Sequence, residues 1–230
     1  MTKEELQKYL LESGVSTNVE VFENLLKDTL TTNEKFNLTA IKDEDSFREL
    51  MIYDSLLPLS FLNFNDKKVL DVGTGAGYPG LPLAVSSKGE FTLLDSTKKK
   101  IDHIIEYVKS NDIKNVVGVN ARAEDFVKTH REVFDVVIAR AVSSLNILLE
   151  LCLPLVKVGG VFIAMKGAKG KEEIEQSKRA LACLDAEIVE IQEAILPISK
   201  EKRINIVIKK KSSTNKKYPR EYKDIVNKPL

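Results

Sequence analysis

The sequence predicts an α/β fold: a mostly parallel sheet covered by helices on both faces, with a helical cap in front of it. Three observations carry this. Short β-branched runs begin at Lys67 and alternate with amphipathic helical patterns, as a parallel sheet with crossover helices requires. The first sixty residues instead read as helical. Directly after the first β-branched run comes DVGTGAGYPG, residues 71–80, with four glycines in ten residues. Such sheets bind ligands outside the carboxyl ends of their strands, so this loop is where backbone passes close to a ligand.

In chain order, Thr2 with Glu5 and Thr17 with Glu20 have capping-box spacing, a hydroxyl and a carboxylate satisfying free amides at a helix start. Val21, Phe22, Leu25, Leu26 and Leu30 then line one helical face. NLTAIKDED breaks the pattern, and SFRELMIYDSLLPLSFL resumes it as far as Pro58. The strand-like runs are KKVLDV, EFTLLD, NVVGVN, FDVVIAR, GVFIAMK, AEIVEIQEAI and RINIVIKK. Between them, Ile101, Ile104, Ile105 and Val108 recur at helical spacing, as do Leu145, Leu148, Leu149, Cys152 and Val156. Gly159 and Gly160 are expected to end the second of these helices. The last two runs, 186–195 and 203–210, have only LPISKEK between them and are expected to pair antiparallel at the sheet edge.

The 230 residues suit one α/β domain with an appendage. Three segments are expected: a helical cap at 1–64, the sheet domain at 65–210 and a basic tail at 211–230. The amino-terminal stretch MTKEELQKYLLESG is charged throughout and does not read as a signal peptide. LNILLELCLPLVKVGGVFIAM is interrupted by Glu150, Lys157 and a glycine pair, so no membrane span is expected. Two cysteines and two histidines are too few for a standard structural zinc site, and no metal is expected. Cys152 and Cys183 lie in apolar contexts and read as buried, inert thiols of a reducing cytoplasm. The net charge of +1 favours no partner. The tail KKKSSTNKKYPREYKDIVNKPL is basic, and is either a solvated, disordered end or a holder of phosphates.

Two cofactor fingerprints overlap in the glycine loop: GxGxxG (Gly75, Gly77, Gly80) and DxGxGxG (Asp71, Gly73, Gly75, Gly77). A dinucleotide fingerprint should start at Gly73, but its sixth position would then be Tyr78, where glycine or alanine is needed for close helix packing. Starting at Gly75 displaces it from the strand and puts Pro79 inside the turn. Asp71 would repel a pyrophosphate, whereas the ammonium or sulfonium of S-adenosylmethionine would be attracted. No GxxxxGK[ST] is present, which excludes a P-loop. Asp95 closes EFTLLD where an acid grips ribose hydroxyls, with helix capping as the competing role. Ala123 and Glu124 are placed to border an adenine; Glu124 also reads as a solvated helix-start acid.

NLTAI, VLDVGTGAGYPGLPLA, FTLLDS, ARAE, FDVVIARAVSSL, MKG and YPR occur in this order across essentially the whole chain. Together they strongly resemble the bacterial small-subunit ribosomal RNA methyltransferase G family, also called glucose-inhibited division protein B. The specific parts are GTGAGYPGLPLA and the A-R-A after the fourth strand, Ala139 to Ala141. The resemblance implies a Rossmann-like class I methyltransferase with a seven-stranded sheet. It also implies methyl transfer from S-adenosylmethionine to N7 of a guanine in 16S ribosomal RNA near the decoding centre. Cofactor contacts are implied at Gly73, Tyr78, Ala123 with Glu124, and Arg140. The implied partner is 16S RNA or the 30S subunit, and a monomer is expected.

The chemistry agrees by elimination. Exocyclic amine methylation usually shows [DN]PP[YF] after the fourth strand, where this chain reads IARAVSS. Pyrimidine carbon-5 methylation needs a cysteine nucleophile there, and Cys152 lies well away. Guanine N7 needs neither device nor a general base, because its lone pair is free. Alignment of reactants is then the main contribution, worth roughly 7–11 kcal/mol. Arg140 is the positioning candidate, facing a cofactor carboxylate, an RNA phosphate or the guanine O6 edge, with an ion pair as the structural alternative. Tyr78 is expected to pack on the cofactor or stack a flipped base. Lys166 and Arg203 are weaker RNA-contact candidates, and Lys98, Lys99 and Lys100 read as a solvated helix start. Three rivals remain: an NAD-dependent oxidoreductase, a non-catalytic RNA-binding or assembly factor, and a methyltransferase for protein or small molecules.

Overall fold

The structure, a computed structural model, describes residues 1–140 and 142–230, so Ala141 of the A-R-A motif lies outside the described residues. Seven strands form one sheet in the order β3-β2-β1-β4-β5-β7-β6. They are β1 (Lys68–Val72), β2 (Glu90–Asp95), β3 (Val116–Asn120), β4 (Phe134–Arg140), β5 (Val156–Lys166), β6 (Ala186–Ile195) and β7 (Lys202–Lys210). The first five strands pair in parallel; β7 joins β5 antiparallel, and β6 closes the edge antiparallel to β7. The strand order turns at β1, which lies between β2 and β4, and a crevice opens there at the carboxyl ends.

The central strands β1, β2 and β4 bury both faces, and successive side chains point to opposite sides. Val69, Leu93 and Ile138 enter one core, while Leu70, Leu94 and Val137 enter the other. The first core lies beneath the cap, with Leu6, Phe22, Phe47 and Ile52 packed against sheet residues and Ile104. The cap consists of α1 (Lys3–Glu12), α2 (Val19–Phe36) and a winding segment. That segment runs through α3 (Glu44–Phe47), a π-helical stretch (Arg48–Tyr53), α4 (Asp54–Leu56) and a 3-10 turn (Leu57–Ser60). On the same face lie α5 (Gly80–Val85) and α6 (Lys98–Ser110). The opposite face carries α7 (Ala123–His130), α8 (Leu145–Cys152), α9 (Gly170–Gln176), α10 (Lys178–Cys183) and α11 (Tyr222–Asn227).

The Thr2–Glu5 capping box forms as expected: Glu5 N donates to Thr2 Oγ1 at 3.2 Å and Thr2 N to Glu5 Oε2 at 2.7 Å. The second helix starts one residue later than its spacing predicts. Asn18 Oδ1 accepts from Glu20 N at 3.0 Å, and the Thr17 hydroxyl donates to Val85 O at 3.0 Å, tying the cap to α5. The helix at Leu145 also ends early. Pro154 has no amide hydrogen to continue it, a 3-10 turn (Leu153–Leu155) follows, and Val156 already begins β5. Gly159 and Gly160 therefore lie inside a strand, where a Cβ on Gly160 would approach Asp135 O at 2.7 Å.

The tail is folded. Lys210 is fully buried and donates to Glu132 Oε1 at 2.8 Å and to the carbonyls of Leu153 and Val156 at 2.9 and 2.8 Å. Tyr218 and Ile225 are buried in the second core. Packing of Lys210, Tyr218 and Ile225 orders the segment, while Lys211, Lys216, Lys217, Lys223 and Lys228 stay exposed. Cys152 is buried as expected, and burial pushes its thiol pKa up, but Cys183 is exposed because it falls at the outer end of α10. No helix among the described residues is long and apolar enough to cross a membrane.

Candidate functional site

Two cavities open at the carboxyl ends of the strands, of about 680 and 340 Å³, and both are lined by Gly73, Arg140 and Val142. The loop after β1 forms their shared edge. Its start is pinned on β2, with Gly73 N and Thr74 N donating to Leu94 O at 2.8 and 3.0 Å. Gly75 stands at φ +61°, and a Cβ built there meets nothing within 4 Å. Gly77 and Gly80 are needed for packing instead. A Cβ on Gly77 would collide with Leu81, and one on Gly80 with Leu93 and, at 2.9 Å, with Asp71 Oδ2.

Asp71 faces the loop from below and not the cavities. It is fully buried, and its Oδ2 accepts from Thr74 Oγ1 at 2.7 Å and Gly80 N at 2.8 Å. Its Oδ1 has no partner among the described residues, and burial pushes the carboxyl pKa up to about 6. The expected direct contact with a cationic ligand is replaced by a staple across the loop.

Asp95 ends β2 on the wall of the smaller cavity, with Lys100, Arg122, Ala123, Glu124 and Tyr222. Its Oδ2 accepts from Gly75 N at 3.0 Å and its Oδ1 from Thr97 N at 2.8 Å, so it braces both the loop and the start of α6. Each oxygen keeps a further lone pair. Ala123 and Glu124 open α7, as the sequence placed them. The three lysines divide: Lys98 pairs with Asp102, Lys99 lies over the Phe36 ring, and Lys100 stands 4.0 Å from Asp95 Oδ2.

The larger cavity lies under the cap, between Leu38, Thr39, Leu50, Met51 and Asp54 on one side and the strand ends on the other. Tyr78 borders it but is only 3% exposed. Its hydroxyl is 3.1 Å from Thr29 Oγ1, its ring packs edge-on against Phe47, and burial pushes its pKa up. Tyr78 thus joins the loop to the cap, and its ring is not presented for stacking with a flipped base.

Arg140 lies between the cavities and donates to Leu50 O at 3.1 Å, with Asp54 Oδ2 at 3.4 Å. Arg203 donates from Nε to the same Asp54 oxygen at 3.0 Å and from Nη1 to Glu201 at 2.8 Å. Asp54 Oδ1 is buried and has no partner among the described residues. Lys166 is buried on the cavity wall, paired with Glu173 Oε2 at 2.8 Å and donating to Ser143 O. The structure therefore brings Arg140, Lys166 and Arg203 together at one cavity, but each already holds an acid, and none is a free surface charge. Sequence reasoning missed Asp54, Arg122, Glu173 and Tyr222. Asp54 sits in an unremarkable helical run, and its partners are 86 and 149 residues away.

Sheet order, glycine loop and the paired cavities define a Rossmann-like fold of the class I methyltransferase type. Solved structures share it: M. jannaschii TYW2 in complex with AdoMet, with a TM-score of 0.57 and 19% identity, covers 74% of this chain and 79% of that one. A SAM dependent methyltransferase from Aquifex aeolicus gives 0.54 and 20%, covering 71% and 92%. At these identities the likeness shows the fold alone. Sequence goes further. The pattern of the rRNA small subunit methyltransferase G family matches residues 18–204. Ribosomal RNA small subunit methyltransferase G of Oceanobacillus iheyensis is 41% identical over 228 residues, covering 96% of each chain, and that of Bacillus cytotoxicus is 40% identical over 96% and 95%. The chain belongs to the rRNA small subunit methyltransferase G family.

Proposed function

We propose that this protein transfers a methyl group from S-adenosylmethionine to N7 of a guanine in 16S ribosomal RNA near the decoding centre. The observation that carries the reading is the pair of cavities meeting at Gly73, Arg140 and Val142, one suited to a nucleoside and the other to an acceptor base. Their volumes fall within or near the roughly 300–1,000 Å³ of ligand sites. The open space above Gly75, which lines the larger cavity beside Gly73, leaves room for the methyl-bearing end of a cofactor that reaches from the smaller cavity toward the acceptor.

In the smaller cavity the free lone pairs of Asp95 take ribose hydroxyls, and Ala123 and Glu124 border the adenine. Gly73 and Gly75 let the backbone approach, with Gly77 and Asp71 holding the loop in shape. Bound S-adenosylmethionine supplies an electrophilic methyl group on a sulfonium sulfur. Arg140 faces both cavities and positions a carboxylate on one side or the guanine O6 edge on the other. Met51, Leu38 and Tyr78 exclude water from the acceptor side. Guanine N7 carries its own lone pair, so no base is needed. The RNA is read as approaching over the cap edge, Arg140 and the basic tail, with Lys166 and Arg203 shaping the cavity wall. Such a substrate places the work in the cytoplasm.

The test is transfer of labelled methyl from S-adenosylmethionine to 30S subunits from a strain lacking the corresponding gene, followed by nucleoside mass analysis. Label recovered as 7-methylguanosine is expected. Label in another nucleoside, or none despite cofactor binding, would overturn the reading.

A further inference from the structure

The Tyr218-Pro219-Arg220 motif of the tail lines neither cavity. Its arginine grips Glu150 of α8 with a fork: Nε to Oε1 at 2.8 Å and Nη2 to Oε2 at 2.6 Å, with Arg220 N adding a bond to Oε1 at 3.0 Å. Glu150 is completely buried, and such charge-assisted, two-pronged bonds fix orientation as well as position. Arg131 donates to the carbonyl of Thr214, ahead of the motif, at 3.4 Å and to that of Tyr218, its first residue, at 2.5 Å. After it, Ile225 is fully buried.

Between Arg220 and Ile225, at the first position of α11, stands Tyr222. It is 39% exposed, it lines the smaller cavity together with Asp95, Ala123 and Glu124, and the Arg122 guanidinium lies 5.6 Å from its ring centroid. The backbone that carries this ring is anchored on one side by the Arg220 fork to buried Glu150 and on the other by buried Ile225.

We infer that Tyr222 is a cofactor-site residue: the strap clamped by Arg220 and Glu150 carries its ring to the adenosine cavity as an aromatic wall for the purine. This rests on the proposed methyltransferase function. Every purine offers a π-face, and removing an aromatic partner weakens base stacking by about 1–3 kcal/mol, or roughly 5- to 150-fold. Because the backbone carrying the ring is already anchored, little ordering of the segment opposes that gain.

Calorimetric titration with S-adenosylhomocysteine tests it without turnover. Tyr222→Ala is expected to raise Kd about tenfold, and Tyr222→Phe to stay within about twofold of the parent. The thermal midpoint and the KM for 30S particles should not move. An unchanged Kd in Tyr222→Ala would overturn the inference. So would an unchanged Kd with a raised KM for particles, which would assign the ring to RNA. If the parent protein itself failed to bind S-adenosylhomocysteine, the methyltransferase reading would fall with it, an outcome distinct from parent binding that Tyr222→Ala leaves intact.

Discussion

Asp54 of the cap accepts a hydrogen bond from Arg203 Nε of β7 at 3.0 Å, through the same oxygen that faces Arg140 Nη1 of β4 at 3.4 Å. One carboxylate therefore fixes two arginines of the larger cavity. Removing it leaves two largely buried cations facing each other, and breaking buried pairs typically costs about 3–5 kcal/mol. Asp54→Ala is expected to lower the thermal midpoint by roughly 6–20 °C, taking about 2–4 °C per kcal/mol for a chain of this size. Methyl transfer should fall at least about tenfold, as expected when a positioning group is lost. Asp54→Asn keeps an acceptor for Arg203 and should recover part of the stability. Thermal denaturation and transfer kinetics on both variants check this; an Asp54→Ala protein as stable and active as the parent would contradict it.

The glycines of the loop should separate by role. Gly80→Ala forces a Cβ against Leu93 and Asp71 Oδ2, overpacking that costs about 1–3 kcal/mol. Gly75→Ala meets no neighbour, and only its left-handed backbone is penalised, by roughly 1–2 kcal/mol. Its new methyl enters the space proposed for the cofactor, so affinity should fall tenfold or more if that space is filled on binding. Calorimetry and denaturation should show both variants losing stability, with the direct loss of affinity belonging to Gly75→Ala.

Asp71 gives a pH signature. Its folded pKa is raised from 3.8 to about 6 by burial, so the native state binds its proton more readily than the unfolded chain. Its contribution to stability is fully present below about pH 4 and is lost as pH rises through about 6, on the order of 3 kcal/mol. Asp71→Asn should flatten that part of the stability profile, measured by urea denaturation from pH 4 to 7.5. An unchanged slope would show that another group carries it.

Removing the Asp71 side chain also unhooks Thr74 and Gly80. Asp71→Ala is accordingly expected to weaken S-adenosylmethionine binding far more than RNA binding. Parallel binding measurements decide it, and equal losses would make the residue structural only.

Much of the sheet was legible because strand runs alternate with helical patterns. The bounds of β2, β4 and β6 fall where EFTLLD, FDVVIAR and AEIVEIQEAI place them. The helix at Leu145 overran in the sequence reading because a continuous apolar run fits both periods, and Pro154 was the signal to heed. In the site, Gly73, Asp95, Ala123 and Glu124 were readable because each sits at a strand end or helix start with a local signature. Asp54 and Tyr222 carry no local signature. Their meaning comes from partners brought near only by tertiary packing, as Glu150 meets Arg220 seventy positions away.

The π-helical stretch at Arg48–Tyr53 sets the register of the cap against the sheet. Asp54 N bonds back to Glu49 O, five residues earlier, so this stretch holds more residues per turn than an α-helix would. Arg48 holds Glu23 on one side, Glu49 accepts from the amides of Ile198 and Ser199 on another, and Asp54 meets the arginines on a third. Losing or gaining a single codon here would turn everything downstream by about 100° around the helix axis and aim Asp54 away from both arginines. The number of residues in this segment, as much as their identity, therefore decides whether one carboxylate can reach both arginines.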